Sequence, residues 1–371
     1  AGGAAGGGAG GAAGGGAGGA AGGGAGGAAG GGAGGDAGAA GDAGAAGDAG
    51  AAGDAGAAGD GGAGGDAGAA GAGGSPLCGE ATGDGTLTGE KTKAIANGGA
   101  EFVSPFDATP GPDGCKVYFT AIDPATGGGA VFSVNKDGTG LARLDQGNLL
   151  VAPVGITISS DGATLYIADV GYSEAGADAG AVLALSAGGG APSVSIAGRL
   201  ARSITLVKEN DTDQLYFGGT SAAGEPTLYK ATPGGSPSVA VSGSGIVEPG
   251  GIASDGAKVF LVSSTTGSAT GGLFEVAGGA ATSVVGGLKV GLNGGAALAG
   301  DASAVLVAAQ NPAGASAIAR VVLADKTVSY TAIGTGLVEP SGLHRAQNAE
   351  VYAFVDGLGA NGSGSVWVAE K

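Results

Sequence analysis

Short apolar runs recur at a steady interval through the second and larger part of the chain. They are residues 116–119 (KVYF), 164–167 (TLYI), 214–217 (QLYF), 258–261 (KVFL), 304–307 (AVLV) and 350–353 (EVYA), spaced by 44 to 50 residues. Ahead of several runs lies a stretch of small residues and a turn containing Asp113-Gly114, Asp161-Gly162 or Asp255-Gly256, an Asp-Gly hairpin signal. A third strand is expected at 130–134, 181–185, 227–231, 272–276, 317–323 and 365–369, and a fourth at 141–144, 193–197, 238–242, 282–286 and 329–333. Four short strands per unit, repeated radially, predict an all-β fold, a six-bladed β-propeller. The last unit ends after its third strand, at Lys371, while residues 92–97 (TKAIAN) read like the other fourth strands. A 3+1 closure is therefore expected, with 92–97 completing the last blade and removing an open edge.

The first 74 residues follow other periods. Residues 1–32 are four copies of AGGAAGGG, and from Gly32 to Gly74 glycine stands at every third position. The unit is Gly-Asp-Ala-Gly-Ala-Ala, with Asp at 36, 42, 48, 54, 60 and 66. Three residues per turn is the period of an extended polyproline-II or polyglycine-II helix. One edge of that helix would be all glycine, including Gly35, Gly38, Gly41, Gly44, Gly47, Gly50, Gly53 and Gly56. Such an edge lets another backbone approach closely, so self-association through these positions is expected. The segment resembles a collagen-like repeat, without proline in its triplets. A flexible Gly-rich spacer is the competing reading. The chain thus divides into octapeptide repeats (1–32), Gly-X-Y repeats (33–74), a connector (75–91) and the propeller (92–371).

Charge narrows the partners. The chain carries 15 basic and 32 acidic residues, net −17, so it has no footprint for nucleic acid, and an anionic membrane surface would repel it. No apolar run reaches the length of a membrane span outside the Gly/Ala region. The sequence begins at Ala1 without Met and is read as a processed, exported product at the cell surface or beyond. Two cysteines without a CxxC or a histidine partner make no zinc site, and in an exported protein they would pair. Cys115 immediately precedes the second strand of the first blade, and Cys78 precedes the closing strand of the neighbouring last blade. Both belong to one face of the ring, so a Cys78–Cys115 disulfide is expected.

Residues 153–169 (PVGITISSDGATLYIAD) resemble the NHL-type propeller repeat, and 249–262 and 340–355 match it more weakly. The resemblance covers the propeller only. It implies a binding platform in most relatives and a metal-dependent hydrolase in some, the latter gathering Glu, Asn and Asp near the ring axis. Here the innermost strands offer mainly Gly, Ala, Ser and Thr, with Asp107 the one obvious carboxylate, so no enzyme is expected. His344, the sole histidine, stands in an innermost strand with no second histidine to share a metal. Glu209, Asp211 and Asp213, with Asn210, form an acidic hairpin tip that could hold Ca²⁺ or be a solvated turn. Asp169, Glu174 and Asp178 pose the same choice; otherwise no cofactor is expected. Residues 89–92 (GEKT) are no phosphate loop, because Glu90 separates the glycine from the lysine. Asn210 and Asn361 begin glycosylation sequons.

The functional expectation is a structural subunit of an extracellular filament or surface assembly, associating with other copies through residues 1–74 and displaying the propeller. The alternatives are a surface-anchored binding module on a flexible spacer and, behind both, a propeller hydrolase.

Overall fold

The computed structural model describes residues 76–371 except 174–178, 244, 266–267, 292–293, 334–336 and 360–361. The chain separates into two units, 1–69 and 70–371. Gly35 through Gly56, with the other repeat glycines, and Glu174, Asp178 and Asn361 lie outside the described residues.

After a 3-10 turn at Gly89–Lys91 comes β1 (Lys93–Asn97). The first blade is β2 (Val103–Pro110), β3 (Lys116–Ile122), β4 (Gly129–Asn135) and β5 (Ala142–Arg143). The second is β6 (Pro153–Ile158), β7 (Thr164–Asp169), β8 (Ala181–Ser186) and β9 (Ser193–Ala197). The third is β10 (Ile204–Glu209), β11 (Thr212–Thr220), β12 (Pro226–Ala231) and β13 (Ser238–Ser242). The fourth is β14 (Glu248–Ser254), β15 (Val259–Thr265), β16 (Ser268–Ala277) and β17 (Ala280–Leu288). The fifth is β18 (Ala296–Leu298), β19 (Ala304–Gln310), β20 (Ser316–Val322) and β21 (Val328–Ala332). The last holds β22 (Pro340–Arg345), β23 (Val351–Asp356) and β24 (Ser365–Glu370). Six four-stranded antiparallel sheets result, the sixth in the order β1-β24-β23-β22. The fold is a six-bladed β-propeller. Strand limits move by a residue or two from the apolar pattern. The fourth strand of the first blade is the largest change, shortened to Ala142–Arg143 because Leu144 and Asp145 turn away to bond Gly190.

The core lies between blades. Phe119 and Phe132 of the first blade pack with Val355 and Val368 of the last, and Phe102 joins them. Ile156 and Leu183 face the first blade through Tyr118 and Val131. Phe217 meets the second blade at Ala168 and Val182. The third and fourth blades join at Leu228 and Leu261, the fourth and fifth at Phe260 and Val305, and the fifth and sixth at Leu306 and Phe354. Every junction of the ring is thus an apolar layer, as alternate strand residues on both faces of each sheet demand.

Residues 76–92 form a strap across three blades. Cys78 is disulfide-bonded to Cys115 with Cα atoms 5.0 Å apart, and its backbone N–H donates to Asp113 O. Further on, the buried Glu350 carboxylate accepts from the Gly85 and Gly300 amides at 3.2 and 3.1 Å and from the Tyr352 hydroxyl. Burial, and then this neighbouring carboxylate, push the Tyr352 phenol well above its ordinary range. Asp301 N donates to Gly83 O, Arg320 Nε donates to Asp84 O at 2.8 Å, and Leu87 is buried between the fifth and sixth blades.

Aspartates make the turns. Asp84, Asp113, Asp123, Asp137, Asp161, Asp255, Asp301 and Asp325 each accept the amide two residues ahead, the Asx-turn geometry. Hydroxyls of Thr86, Thr139 and Ser159 lead in holding Asp84, Asp137 and Asp161 below the ordinary value near 3.8, and the Ala125 and Thr327 amides lead at Asp123 and Asp325.

Two expectations follow from these contacts. Replacing both cysteines by serine releases a link spanning 37 residues, worth roughly 4 kcal/mol in the chain-entropy treatment; urea unfolding of the two proteins measures it. The depressed turn carboxyls contribute stability that is complete above their unfolded values and lost as pH falls through the lower folded values. In about 0.15 M salt, which screens the general repulsion of a net acidic chain, Tm should stay level down to about pH 4 and then fall; a Tm that rises on acidification below that point contradicts the assignment.

Candidate functional site

The axis of a propeller is where its innermost strands converge, and here they close on one another. A Cβ on Gly251 would lie 2.3 Å from Ala296 N of the next blade, and one on Gly295 only 1.7 Å from Leu343 N. Only glycine allows that approach. In the first blade the buried Asp107 side chain does the joining. Its Oδ1 accepts from Ala108 N at 2.9 Å, and its Oδ2 accepts from Ile156 N of the second blade at 2.8 Å. His344 Nε2 of the last blade lies 3.2 Å from the same Oδ2. Thr157 Oγ1 continues the pattern, accepting from Leu206 N of the third blade at 3.1 Å.

Two small hollows flank this plug. One, bounded by Asp107, Ser203, Gly251 and His344, has about 20 Å³ of free space, enough for about one water. The other has about 80 Å³ among Thr109, Thr157, Thr205, Ser254, Arg345 and Gln347. Arg345 Nε donates to Leu298 O at 2.9 Å, and Gln347 Nε2 donates across the axis to Ile158 O at 3.2 Å. Ligand sites commonly enclose about 300 Å³ or more, so neither hollow holds a substrate of ordinary size. Larger open depressions lie off the axis. One of about 730 Å³ runs along Leu77, Pro112, Asp113, Tyr118, Asp161 and Asn348 beside the disulfide. Another of about 630 Å³ lies at Thr126, Asn148 and Leu150. Arg143 bridges Asp123 and Asp145 there, at 2.6 and 2.8 Å.

The sequence-selected acidic groups have separate partners. Asn210 and Asp211, at φ 47° and 61°, make the two-residue turn of the β10–β11 hairpin. Asp211 is fully exposed and pairs with Lys208 at 3.6 Å. Glu209 instead accepts from the Tyr216 hydroxyl at 2.6 Å and pairs with Lys230, and Asp213 accepts from Ser160 N at 3.1 Å. Among the described residues no group of three His, Cys, Asp or Glu side chains is arranged to hold a metal ion. Asp169 is fully buried and accepts from Val151 N and Ala152 N at 2.7 and 2.9 Å. Asp356 does the same for Val338 N and Glu339 N; the repeated Val-x-Pro beyond each pointed to this pair, and the sequence reading passed over it. Residues 89–91 are the 3-10 turn that begins β1. Among the described residues no helix is long and apolar enough to cross a membrane.

No protein-family model and no curated protein matches the chain. Solved structures do. A putative oxidoreductase (glucose dehydrogenase) from Thermus thermophilus aligns at TM-score 0.53 and 14% identity over 75% of this chain and 99% of that one. A structure of a nidogen/laminin complex aligns at TM-score 0.51 and 14% identity over 67% and 86%. A gluconolactonase from Xanthomonas campestris aligns at TM-score 0.50 and 13% identity over 75% and 88%. At this identity the likeness is one of fold, and folds of this kind host unrelated activities.

Proposed function

We propose that the chain is a non-catalytic, exported propeller subunit displayed on an assembly that its Gly/Ala repeats build. The observation that carries this reading is the closed axis, where Asp107 bonds three blades together and the flanking hollows leave about 20 and 80 Å³. The Cys78–Cys115 disulfide supports an oxidising, extracellular location. In this reading β1 beside β24 is the 3+1 closure. The all-glycine edge at Gly35 to Gly56 supplies close contact between copies, while the aspartates of the same repeat keep it soluble. A second reading, a binding platform on a spacer, is favoured by the depression at Leu77, Pro112, Tyr118 and Asn348.

Two experiments test it. Light scattering of the full chain should show assemblies of many copies, and residues 76–371 alone should form nothing larger than a dimer; persistence of the large assembly in the shortened protein refutes self-association through the repeats. Asp107→Ala strands the Ile156 amide and should cost about 3 kcal/mol in urea unfolding. A variant that keeps full stability but loses a lactone- or ester-hydrolysing activity present in the parent protein would make Asp107 catalytic instead.

A further inference from the structure

The outermost strand of each propeller blade presents backbone N–H and C=O groups that template another strand unless the edge is blunted. Most edges here are blunted. Strand β5 is two residues long. Strands β9, β13, β17 and β1 carry an extra residue at the same place in the repeat, Ser195, Ala240, Val284 and Ile95. The register jumps there between Val182/Leu183, Leu228/Tyr229, Leu273/Phe274 and Ala94/Ala96. A bulge of this kind twists the edge and interrupts its ladder.

The fifth blade lacks it. Strand β21 pairs with β20 without a jump, Ala332 with Ala317, Thr331 with Ile318, Tyr330 with Ala319, Ser329 with Arg320 and Val328 with Val321. Tyr330 occupies the place of the bulged residue and stays in the ladder. The strand reads Val-Ser-Tyr-Thr-Ala, with no charge, Pro or Gly, a composition that favours pairing. Gly89 of the strap approaches the terminal Ala332 carbonyl, which leaves residues 328–331 as the outward edge.

We propose that β21 is a homotypic docking edge, pairing antiparallel with β21 of a second copy across a twofold axis at Tyr330. Charge selects a second copy as the occupant. Two chains of net −17 repel over most of their surfaces, and this edge brings no like charges together. Hydrogen-bonding parity restricts the register. Partners in an antiparallel pair share one bonding type, so a strand paired with itself must centre on a residue rather than between two. Centring on Tyr330 sets Tyr330 opposite Tyr330, Ser329 opposite Thr331 and Val328 opposite Ala332, all favourable cross-strand pairs. The contact is isologous and closes as a dimer. It is independent of association through residues 1–74.

Tyr330→Cys in the full chain tests this locally. The chain has two cysteines and both lie in the disulfide, so the introduced thiol is the one free sulfur. Under mild oxidation it should cross-link into a covalent dimer on the order of tenfold or more faster than Val239→Cys, because pairing raises the local thiol concentration. Val239 is 58% exposed on the bulged edge β13, so access does not favour position 330. Adding Ser329→Lys, at an exposed position, should reduce the Tyr330→Cys rate to that of the Val239→Cys control with the circular dichroism unchanged. Equal rates at 330 and 239, as association through the repeats alone would give, overturn the proposal. So does a cross-link that the lysine leaves intact.

Discussion

Every blade of this ring buries both of its faces against neighbours, and the rest of the structure depends on that lateral burial being complete. A single four-stranded sheet with two apolar faces has no solvent side on which to stand. Phe119 and Phe132 need Val355 and Val368 from the far end of the chain, just as Leu228 needs Leu261. The polar contacts reinforce the same junctions. Asp107 joins the last, first and second blades, and Glu350 holds a strap amide 265 residues distant in sequence. Contacts of such separation form late in folding, because a long loop must close before they reward it.

The same demand for closure shapes the axis. Inner strands that meet at Gly251 and Gly295 leave no channel between the described residues, and the Asp107 carboxylate there is saturated with donors. Negative charge elsewhere is distributed among turns. Asp161, Asp255 and Asp325 each fold back on an amide two residues on, which makes a tight hairpin tip without building a cation cage. An acidic composition therefore reflects, in large part, how this chain turns corners. The likeness to a lactonase and to a dehydrogenase concerns the arrangement of sheets, whereas activity resides in what lines the axis.

Much of the fold was legible in the sequence because its signals are local and repeated. The apolar runs at Val117, Leu165, Leu215, Val259, Val305 and Val351 became the second strands of the blades, and Asp-Gly marked hairpins at Asp113 and Asp161. Cys78 and Cys115 could be paired on topology alone, since a radial repeat fixes which connections share a face. The acidic tip at Glu209, Asp211 and Asp213 was read as one candidate because its members are adjacent in sequence. The structure gives each a separate partner, because neighbouring residues on a strand point to opposite faces and the turn lifts Asp211 into solvent.

What the sequence determined by itself was periodic: six units, four strands in each, and the order in which they follow. Period and turn chemistry are written within a few residues of where they act. Only the tertiary structure decided that Asp107 meets His344 across 237 positions, that Glu350 anchors a strap from the other end of the chain, and that β21 alone among the longer outer edges described keeps an unbroken ladder. Those outcomes depend on how closely neighbouring blades approach, a distance set by packing around the whole ring and by no local stretch of sequence.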